Sequence, residues 1–342
     1  MSASSRDADA WGGMVSDDQP MTGLLGKSCS IVHHKLAYTM RLMQKPAVSP
    51  FTLYLILILP PLFWAGNFVV GRAVHTDIPP FTLSLGRWVI ALLCILPFAW
   101  PTMRRDLPLY WQYRWRLLAV SVVGVAAFNT LVYSGLHHTT ATNGILLNSC
   151  IPILILLFGA MFYRLRLHPL QLLGLALSFF GVLTIILHGE WERLLSLAFS
   201  SGDLVIFTAM ICWALYTLWL RDLPASIHRL GLMGAQILVA VIVLLPLFIW
   251  EQAHGQHARW GQETWLALAY VGIFPSVIAY TLYTIGVEKA GAARAGLFIH
   301  LMPVFGSLLS VIFLGEHLHL FHAIGIAAIL GGLALSNRHQ HP

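Results

Sequence analysis

The chain has 342 residues, of which 58% are hydrophobic and only 10% are charged, with a net charge of +6 and a mean hydropathy of +0.75. A soluble globular domain carries about 25% charged residues, so this composition excludes a protein that covers itself with a water-compatible surface. It predicts a polytopic membrane protein whose partner is the lipid bilayer, and no nucleic acid is expected.

The first predicted element is a polar segment over residues 1–48. It lacks the basic start and the apolar core of a secretory signal peptide. We therefore interpret it as a disordered cytoplasmic tail. Met40 and Met43 both precede the first apolar run closely, so the true start codon stays open.

Ten apolar runs of roughly 20 residues follow, each long enough to cross a bilayer as a helix. Helices are required because a backbone exposed to lipid must satisfy its own hydrogen bonds. The predicted fold class is therefore all-α, with ten transmembrane helices. The runs cover residues 51–72, 80–100, 116–137, 143–163, 168–188, 203–221, 231–251, 264–287, 293–315 and 320–337.

The basic residues at the ends of these runs predict an orientation. If the N-terminus is cytoplasmic, 14 Lys and Arg residues flank the spans on the inner side. The outer flanks then hold only Arg72, Arg193 and Arg259. Since Lys and Arg are enriched in cytoplasmic loops, we expect a multi-pass inner-membrane protein with both termini in the cytoplasm.

An internal repeat divides the chain into two halves of five spans, residues 49–189 and 200–339. Five is odd, so the second half enters the membrane upside down relative to the first. Inverted repeats are typical of secondary transporters, in which the substrate site lies near the midplane between the halves. A shift of 149 residues aligns Trp64 with Trp213 and Arg87 with Gln236, and a shift of 151 aligns Pro152 with Pro303.

Several short motifs follow one another in order along the repeat. They are Trp64-Ala-Gly-Asn67-Phe, Gly202-Asp203 before Trp213-Ala-Leu-Tyr216, Phe274-Pro275-Ser276 before Ala279-Tyr280, and Pro303 before Leu314-Gly315-Glu316. In this order they resemble the EamA-type drug/metabolite transporters, over nearly everything after residue 50. The first half departs from the pattern, with Tyr163-Arg164-Leu165 where the second has Leu314-Gly315-Glu316.

The resemblance implies an inner-membrane exporter of metabolites or amino acids that works by alternating access and is driven by a gradient. The sequence contains no GxxxxGK[ST] loop that would hold a nucleotide, so transport driven by ATP is not predicted. No cofactor is expected. Sets such as GxSxG or HExxH are also missing from the sequence, so an enzyme is not predicted.

Arg87 is the sharpest candidate for the substrate pathway. It lies roughly 10 Å along the second span from Pro80, at 1.5 Å per residue. An arginine at depth costs at least ~2.5–3.5 kcal/mol on insertion scales, which makes it a functional hypothesis by default. No Asp or Glu lies in the middle of a predicted span. The site therefore favours a neutral, zwitterionic or anionic solute, such as an amino acid whose carboxylate binds the guanidinium. A purely structural role for Arg87 is the alternative.

The other candidates are polar or aromatic residues inside the spans. Asn67 should face the bundle interior, where it either joins helices or binds substrate. His300 either carries a coupling proton or is a neutral residue bonded to a neighbouring helix. Pro152 and Pro303 are expected to kink their helices. We expect a central cavity that contains Asn67 and Arg87, with further candidates Trp64, Trp213, Tyr216, Gln236, Tyr280 and Tyr283.

The run GEHLHLFH, over Glu316 to His322, offers carboxylate and imidazole ligands but no zinc-finger or HExxH spacing. No metal site is predicted. Two alternatives to export stay open, namely a flippase of a lipid-linked substrate and a gradient-driven importer. The sequence does not define the substrate, the coupling ion, the direction of transport or the oligomeric state.

Overall fold

The computed structural model describes residues 49–165, 168–190, 192, 200–314, 317 and 319–337. Within these ranges all regular structure is helical, which confirms the predicted all-α class. The predicted tail over residues 1–48 lies outside the described residues. So do Arg193 and the Glu316 of the histidine-rich run.

Ten apolar helical segments follow one another along the described part of the chain. Nine are long and apolar enough to cross a membrane, and the last is a shorter apolar helix. The prediction of ten spans is confirmed. The helices are α1 (Pro50–Ala73), α2 (Pro80–Gln112), α3 (Arg114–Leu136), α4 (Ala141–Tyr163), α5 (Pro169–Ile186), α6 (Ser201–Asp222), α7 (Arg229–Ala253), α8 (Gln262–Ala290), α9 (Ala292–Leu297, Phe298–His300 and Leu301–Leu314) and α10 (Leu320–Asn337).

Helix α2 extends well past its predicted end at residue 100. It has 33 residues, so at 1.5 Å per residue it is about 50 Å long, against about 30 Å for the hydrocarbon core. The polar residues after Trp100 end the apolar run but not the helix. Pro101 and Pro108 stay inside the helix at this end, although each removes one backbone hydrogen bond.

Helices α2 and α7 are repeat-related neighbours, and each carries an acidic residue that caps the other. Glu251, near the end of α7, is fully buried and accepts hydrogen bonds from the backbone N–H groups of Phe81 and Thr82 at 2.9 and 2.7 Å. Asp106, near the end of α2, accepts one from the backbone N–H of His228 at 2.7 Å. A carboxylate at a helix N-terminus satisfies orphan donors and complements the helix dipole. These hydrogen bonds therefore join α2 and α7 at both ends of the helix pair.

Helices α5 and α10 pack through glycines in a way that the repeat reproduces. A methyl group added to Gly174 would overlap the carbonyl of Gly332, and one added to Gly325 would overlap the carbonyl of Gly181. A shift of 151 residues exchanges these two contacts. The close backbone approach is thus symmetric under exchange of the two halves, as an inverted repeat requires.

Candidate functional site

Arg87 is fully buried in α2, and its guanidinium is held by neutral side chains of three other helices. Its Nε donates to Ser276 Oγ of α8 at 2.6 Å, and its Nη1 donates to Tyr133 OH of α3 at 2.7 Å. Nη1 also lies within hydrogen-bonding distance of the side-chain oxygens of Asn67 and Asn129. No carboxylate of the described residues pairs with it. The cation is therefore solvated by dipoles but not neutralised.

One nitrogen of this guanidinium, Nη2, has no hydrogen-bond partner in the structure, and neither has the indole N–H of the adjacent Trp88. The ring centroid of Trp88 lies 4.8 Å from the guanidinium carbon, within cation–π range. A buried charged donor that lacks an acceptor is costly, and such groups call for an explanation. The surplus of donors around a positive charge suits a ligand that brings acceptor oxygens and a negative charge.

Asn67 and Tyr133 complete the polar surroundings of Arg87. The hydroxyl of Tyr133 donates to Asn67 Oδ1 at 2.8 Å, and both residues are almost fully buried. Asn67 thus faces the bundle interior, where its amide is paired as the cost of burial in an apolar medium requires. The contact joins α1 to α3 beside the guanidinium.

Two π-helical turns border the site, at Ser121–Ala127 in α3 and Ile273–Ile278 in α8. A shift of 151 residues places one on the other. A π-helical turn contains one extra residue, so its backbone hydrogen bonds depart from the α-helical i→i−4 pattern. Some carbonyl oxygens can then accept hydrogen bonds from side chains. The carbonyl of Gly124 accepts from Tyr280 OH, and the carbonyl of Pro275 accepts from Trp64 Nε1, both at 3.0 Å. Turns of this kind are frequent at functional sites.

Residues that the repeat relates meet each other at the centre of the bundle. Asn129 and Tyr280 are separated by 151 residues, and Asn129 Nδ2 donates to Tyr280 OH at 2.6 Å. Trp64 and Trp213 are separated by 149 residues, and their ring centroids lie 4.9 Å apart at an interplanar angle of 83°. Equivalent residues can touch only near the axis that relates the halves. The polar network around Arg87 therefore lies beside that axis.

The second half presents a neutral counterpart of the Arg87–Asn67 pair. Tyr216 and Gln236 occupy the equivalent positions at a shift of 149, and Tyr216 OH lies 3.3 Å from Gln236 Oε1. Gln236 is fully buried, and its Nε2 has no partner. Tyr283 accepts from the indole N–H of Trp213 at 3.3 Å. The predicted aromatic residues of the second half thus converge on the same centre.

His300 and the two prolines lie in a separate set of contacts. One ring nitrogen of the fully buried His300 lies 2.7 Å from Ser178 Oγ of α5, and the other lies 2.9 Å from the carbonyl oxygen of Ser149. Helix α4 is interrupted at Ser149 and Cys150, so Pro152 stands in the first turn of its second segment. Pro303 follows the 3₁₀ turn that contains His300. None of the hydrogen bonds of the described residues joins His300 to the Arg87 network.

The predicted central cavity is closed in this structure. The space among Trp64, Asn67, Asn129 and Trp213 amounts to about 10 Å³, which is room for one water molecule. The polar side chains bond to one another, and the aromatic rings pack edge to face across the axis. A solute could reach Arg87 only after the halves move apart.

Sequence reasoning missed three of the four side chains that bond Arg87, namely Asn129, Tyr133 and Ser276. The same argument that selected Asn67, an amide inside a span, applies to Asn129. Tyr133 lies one helical turn after Asn129, and Ser276 stands in the Phe274-Pro275-Ser276 motif. No sequence signal indicates that these residues meet Arg87, because the contact depends on how the helices are rotated.

Ten apolar helices, two inverted halves and a polar centre beside their shared axis are typical of membrane transporters. The sequence model of the EamA-like transporter family matches residues 51–187 and again residues 200–338. The chain belongs to the EamA-like transporter family.

Curated relatives cover most of the chain. An uncharacterized transporter of Archaeoglobus fulgidus is 27% identical over 84% of this chain and 98% of its own length. A probable terminal-alkyne amino-acid exporter of Streptantibioticus cattleyicolor is 24% identical over 82% of this chain and 92% of its own length. A crystal structure superposes with a TM-score of 0.66 at 20% identity, covering 84% of this chain and 97% of the other, and supports the fold.

Proposed function

We propose that this chain is a secondary active exporter of small metabolites or amino acids, which moves them across the inner membrane by alternating access. The observation that carries the proposal is the guanidinium of Arg87, fully buried among neutral partners with one nitrogen unpaired. A charged solute group that binds there compensates the buried cation. A carboxylate suits best, because it accepts two parallel N–H bonds from a guanidinium.

The position of the site supports transport rather than a static structural role. Arg87 contacts Asn67 and Tyr133 of the first half and Ser276 of the second, so its network crosses the boundary between the halves. In inverted-repeat transporters the two halves rock around a site at this boundary. A movement of one half therefore exchanges the hydrogen bonds of Arg87 and alters its access to solute.

Export as the direction is supported by one relative, the probable terminal-alkyne amino-acid exporter of Streptantibioticus cattleyicolor. The chain also carries its Lys and Arg residues mainly at one set of helix ends, which supports an orientation with both termini in the cytoplasm. We propose that the working units are the halves 49–189 and 200–339, in line with the two family matches. Reporter enzymes fused after Arg221 and after Gln256 would check the orientation, with cytoplasmic activity expected for the first and outer activity for the second.

The function is tested by export from bacteria that overproduce the chain. Mass spectrometry of the medium compares the wild type with Arg87→Ala and with the matched control Arg221→Ala, at equal membrane levels. Arg221 is an exposed arginine that stacks on the Tyr163 ring away from this network. Solutes enriched by the wild type and the control but not by Arg87→Ala support the proposal.

Two other outcomes count against it. Equal enrichment by all three proteins keeps transport but removes Arg87 from the solute pathway. No change of the medium in any of them contradicts export of soluble solutes, and lipid-linked substrates and uptake are then the functions to measure.

A further inference from the structure

A groove lies where α2 ends and α3 begins, about 30 Å along α2 from Arg87. It is lined from Leu107 to Leu118, with Val239 of α7 as the remaining wall, and encloses about 830 Å³. That volume falls within the range of about 300–1,000 Å³ typical of small-ligand sites. Apart from Arg114, its lining is made of apolar and aromatic residues.

We expect the groove to run from the level of the lipid headgroups into the hydrocarbon layer, because Leu118 and Val239 lie within apolar spans. Helix α2 is about 50 Å long, and its last dozen residues extend beyond a hydrocarbon core of about 30 Å. Trp111 and Trp115 are 73% and 71% exposed on either side of the turn between the helices. Tryptophan is enriched at this depth because its ring is apolar and its N–H reaches water. A lipid acyl chain that packs on these rings would shield their apolar faces from headgroups and water.

The rim of the groove is positively charged and lacks a protein counter-charge. The guanidinium carbon of Arg114 lies 5.3 Å from the ring centroid of Trp111 and 5.9 Å from that of Trp115, and Arg104 stacks on Trp100 at 5.9 Å. Among the described residues Asp106 pairs with Arg105, and no carboxylate pairs with Arg104 or Arg114. The stacking holds these two guanidinium groups at the surface. One N–H of Arg114 donates to the carbonyl of Trp111 at 3.1 Å, and the outward-facing N–H donors can bind a phosphate.

We propose that this groove binds one acidic phospholipid of the adjoining leaflet, with an acyl chain against Leu107, Leu118 and Val239 and the phosphate at Arg114. Arg104, one helical turn before Leu107, adds a second positive charge beside the groove. Basic pockets between transmembrane helices are known to hold anionic headgroups. A zwitterionic lipid fits less well, because its own ammonium group faces the same two cations. The proposal is independent of the transported solute.

Native mass spectrometry of the purified full-length chain tests the proposal, with phosphatidylglycerol and phosphatidylcholine as the added lipids. The wild type should bind phosphatidylglycerol about 10- to 30-fold more tightly, at about 1 kcal/mol for each basic residue. Arg104→Gln with Arg114→Gln should reduce that preference to near unity. The control Arg221→Gln removes another exposed arginine–aromatic stack at the same end of the bundle and should retain it.

A second variant separates the groove from general surface charge. Val239→Trp fills the cavity while leaving both arginines in place, so it should weaken the binding of both lipids. Thermal unfolding of each variant checks that the bundle is intact. Equal binding of the two lipids by the wild type overturns the proposal, and so does a preference that survives the double Gln variant. A dimer that Val239→Trp dissociates would assign the groove to a second copy of this chain and overturn it as well.

Discussion

Helices α2 and α7 occupy the same place in the two halves, yet their central residues differ in charge. Arg87 and Gln236 are both fully buried, and each pairs with the residue 20 positions before it, Asn67 and Tyr216 respectively. Around these positions the scaffold is close to symmetric, as the π-helical turns and the Trp64–Trp213 contact show. The symmetric parts build the bundle, and we propose that the charge of Arg87, which has no counterpart at Gln236, defines what the bundle recognises.

Arg87→Gln should have the largest effect on export. It gives α2 the same residue that α7 carries at the equivalent position, Gln236. The variant removes the charge that would bind an anionic group of the solute, and a hydrogen bond to a charged group contributes about 1.5–3 kcal/mol. The initial rate of export should fall about 10- to 100-fold. The rate is measured by mass spectrometry of the medium at matched protein levels. Unchanged export would mean that Arg87 only holds helices together.

A symmetric contact should respond alike in both halves. Gly174→Ala places a methyl group against the carbonyl of Gly332, and Gly325→Ala does the same against Gly181. Overpacking of this kind costs about 1–3 kcal/mol. Both variants should lower the melting temperature in detergent, followed by tryptophan fluorescence, to a similar extent.

Gly306→Ala is the matched control for the two glycine variants, because nothing lies within 4 Å of a methyl group added there. It should leave the melting temperature unchanged or slightly raised, since alanine favours the helix over glycine. A large drop for only one of Gly174→Ala and Gly325→Ala would break the symmetry inferred for α5 and α10.

The two caps of the α2–α7 pair are both buried but differ in their hydrogen-bond partners, and their removal should differ accordingly. The Glu251 carboxylate accepts from two backbone N–H groups and from the Thr82 hydroxyl at 2.6 Å. Glu251→Gln turns one acceptor into a donor that faces these groups, at a cost of about 1–2 kcal/mol. Asp106→Asn should cost less, because one of its partners is Arg105, whose side chain is 61% exposed. Melting temperatures of both variants check the order, and the reverse order would contradict it.

The smallest effect is expected from Gln236→Leu. The change removes an unpaired amide nitrogen and leaves the hydroxyl of Tyr216 without its acceptor. These two contributions oppose each other, so stability should change by less than about 1 kcal/mol. Export by the matched variant should stay within about twofold of the wild type. A loss as large as that of Arg87→Gln would show that both halves recognise the solute.

The sequence predicts the fold well because the bilayer imposes a simple rule. A helix must expose about 20 apolar residues to lipid, so the ten spans can be located from composition alone. The repeat is visible because the two halves keep Trp64 and Trp213 at matching positions. The end of α2 is the exception, since beyond the headgroups the apolar run no longer marks where a helix stops.

The site is less predictable than the fold. Arg87 and Asn67 can be selected from the sequence because both lie deep inside a span. A polar group at that depth costs insertion free energy whichever way its side chain points. The bonds from Arg87 to Ser276 and Tyr133 depend on the rotation of α3 and α8, to which their π-helical turns contribute. A π-helical turn has no simple residue pattern. The closed state of the centre likewise follows from packing between helices that a single sequence does not display.

Arg87 is proposed to recognise an anionic group of the solute. The most direct measurement is uptake into proteoliposomes of the exported solute and of its carboxamide, in which the carboxylate has been neutralised. The wild type and Gln236→Leu should prefer the carboxylate by at least about tenfold, and Arg87→Gln should transport both forms at similar low rates. An equal preference in all three proteins would contradict the claim.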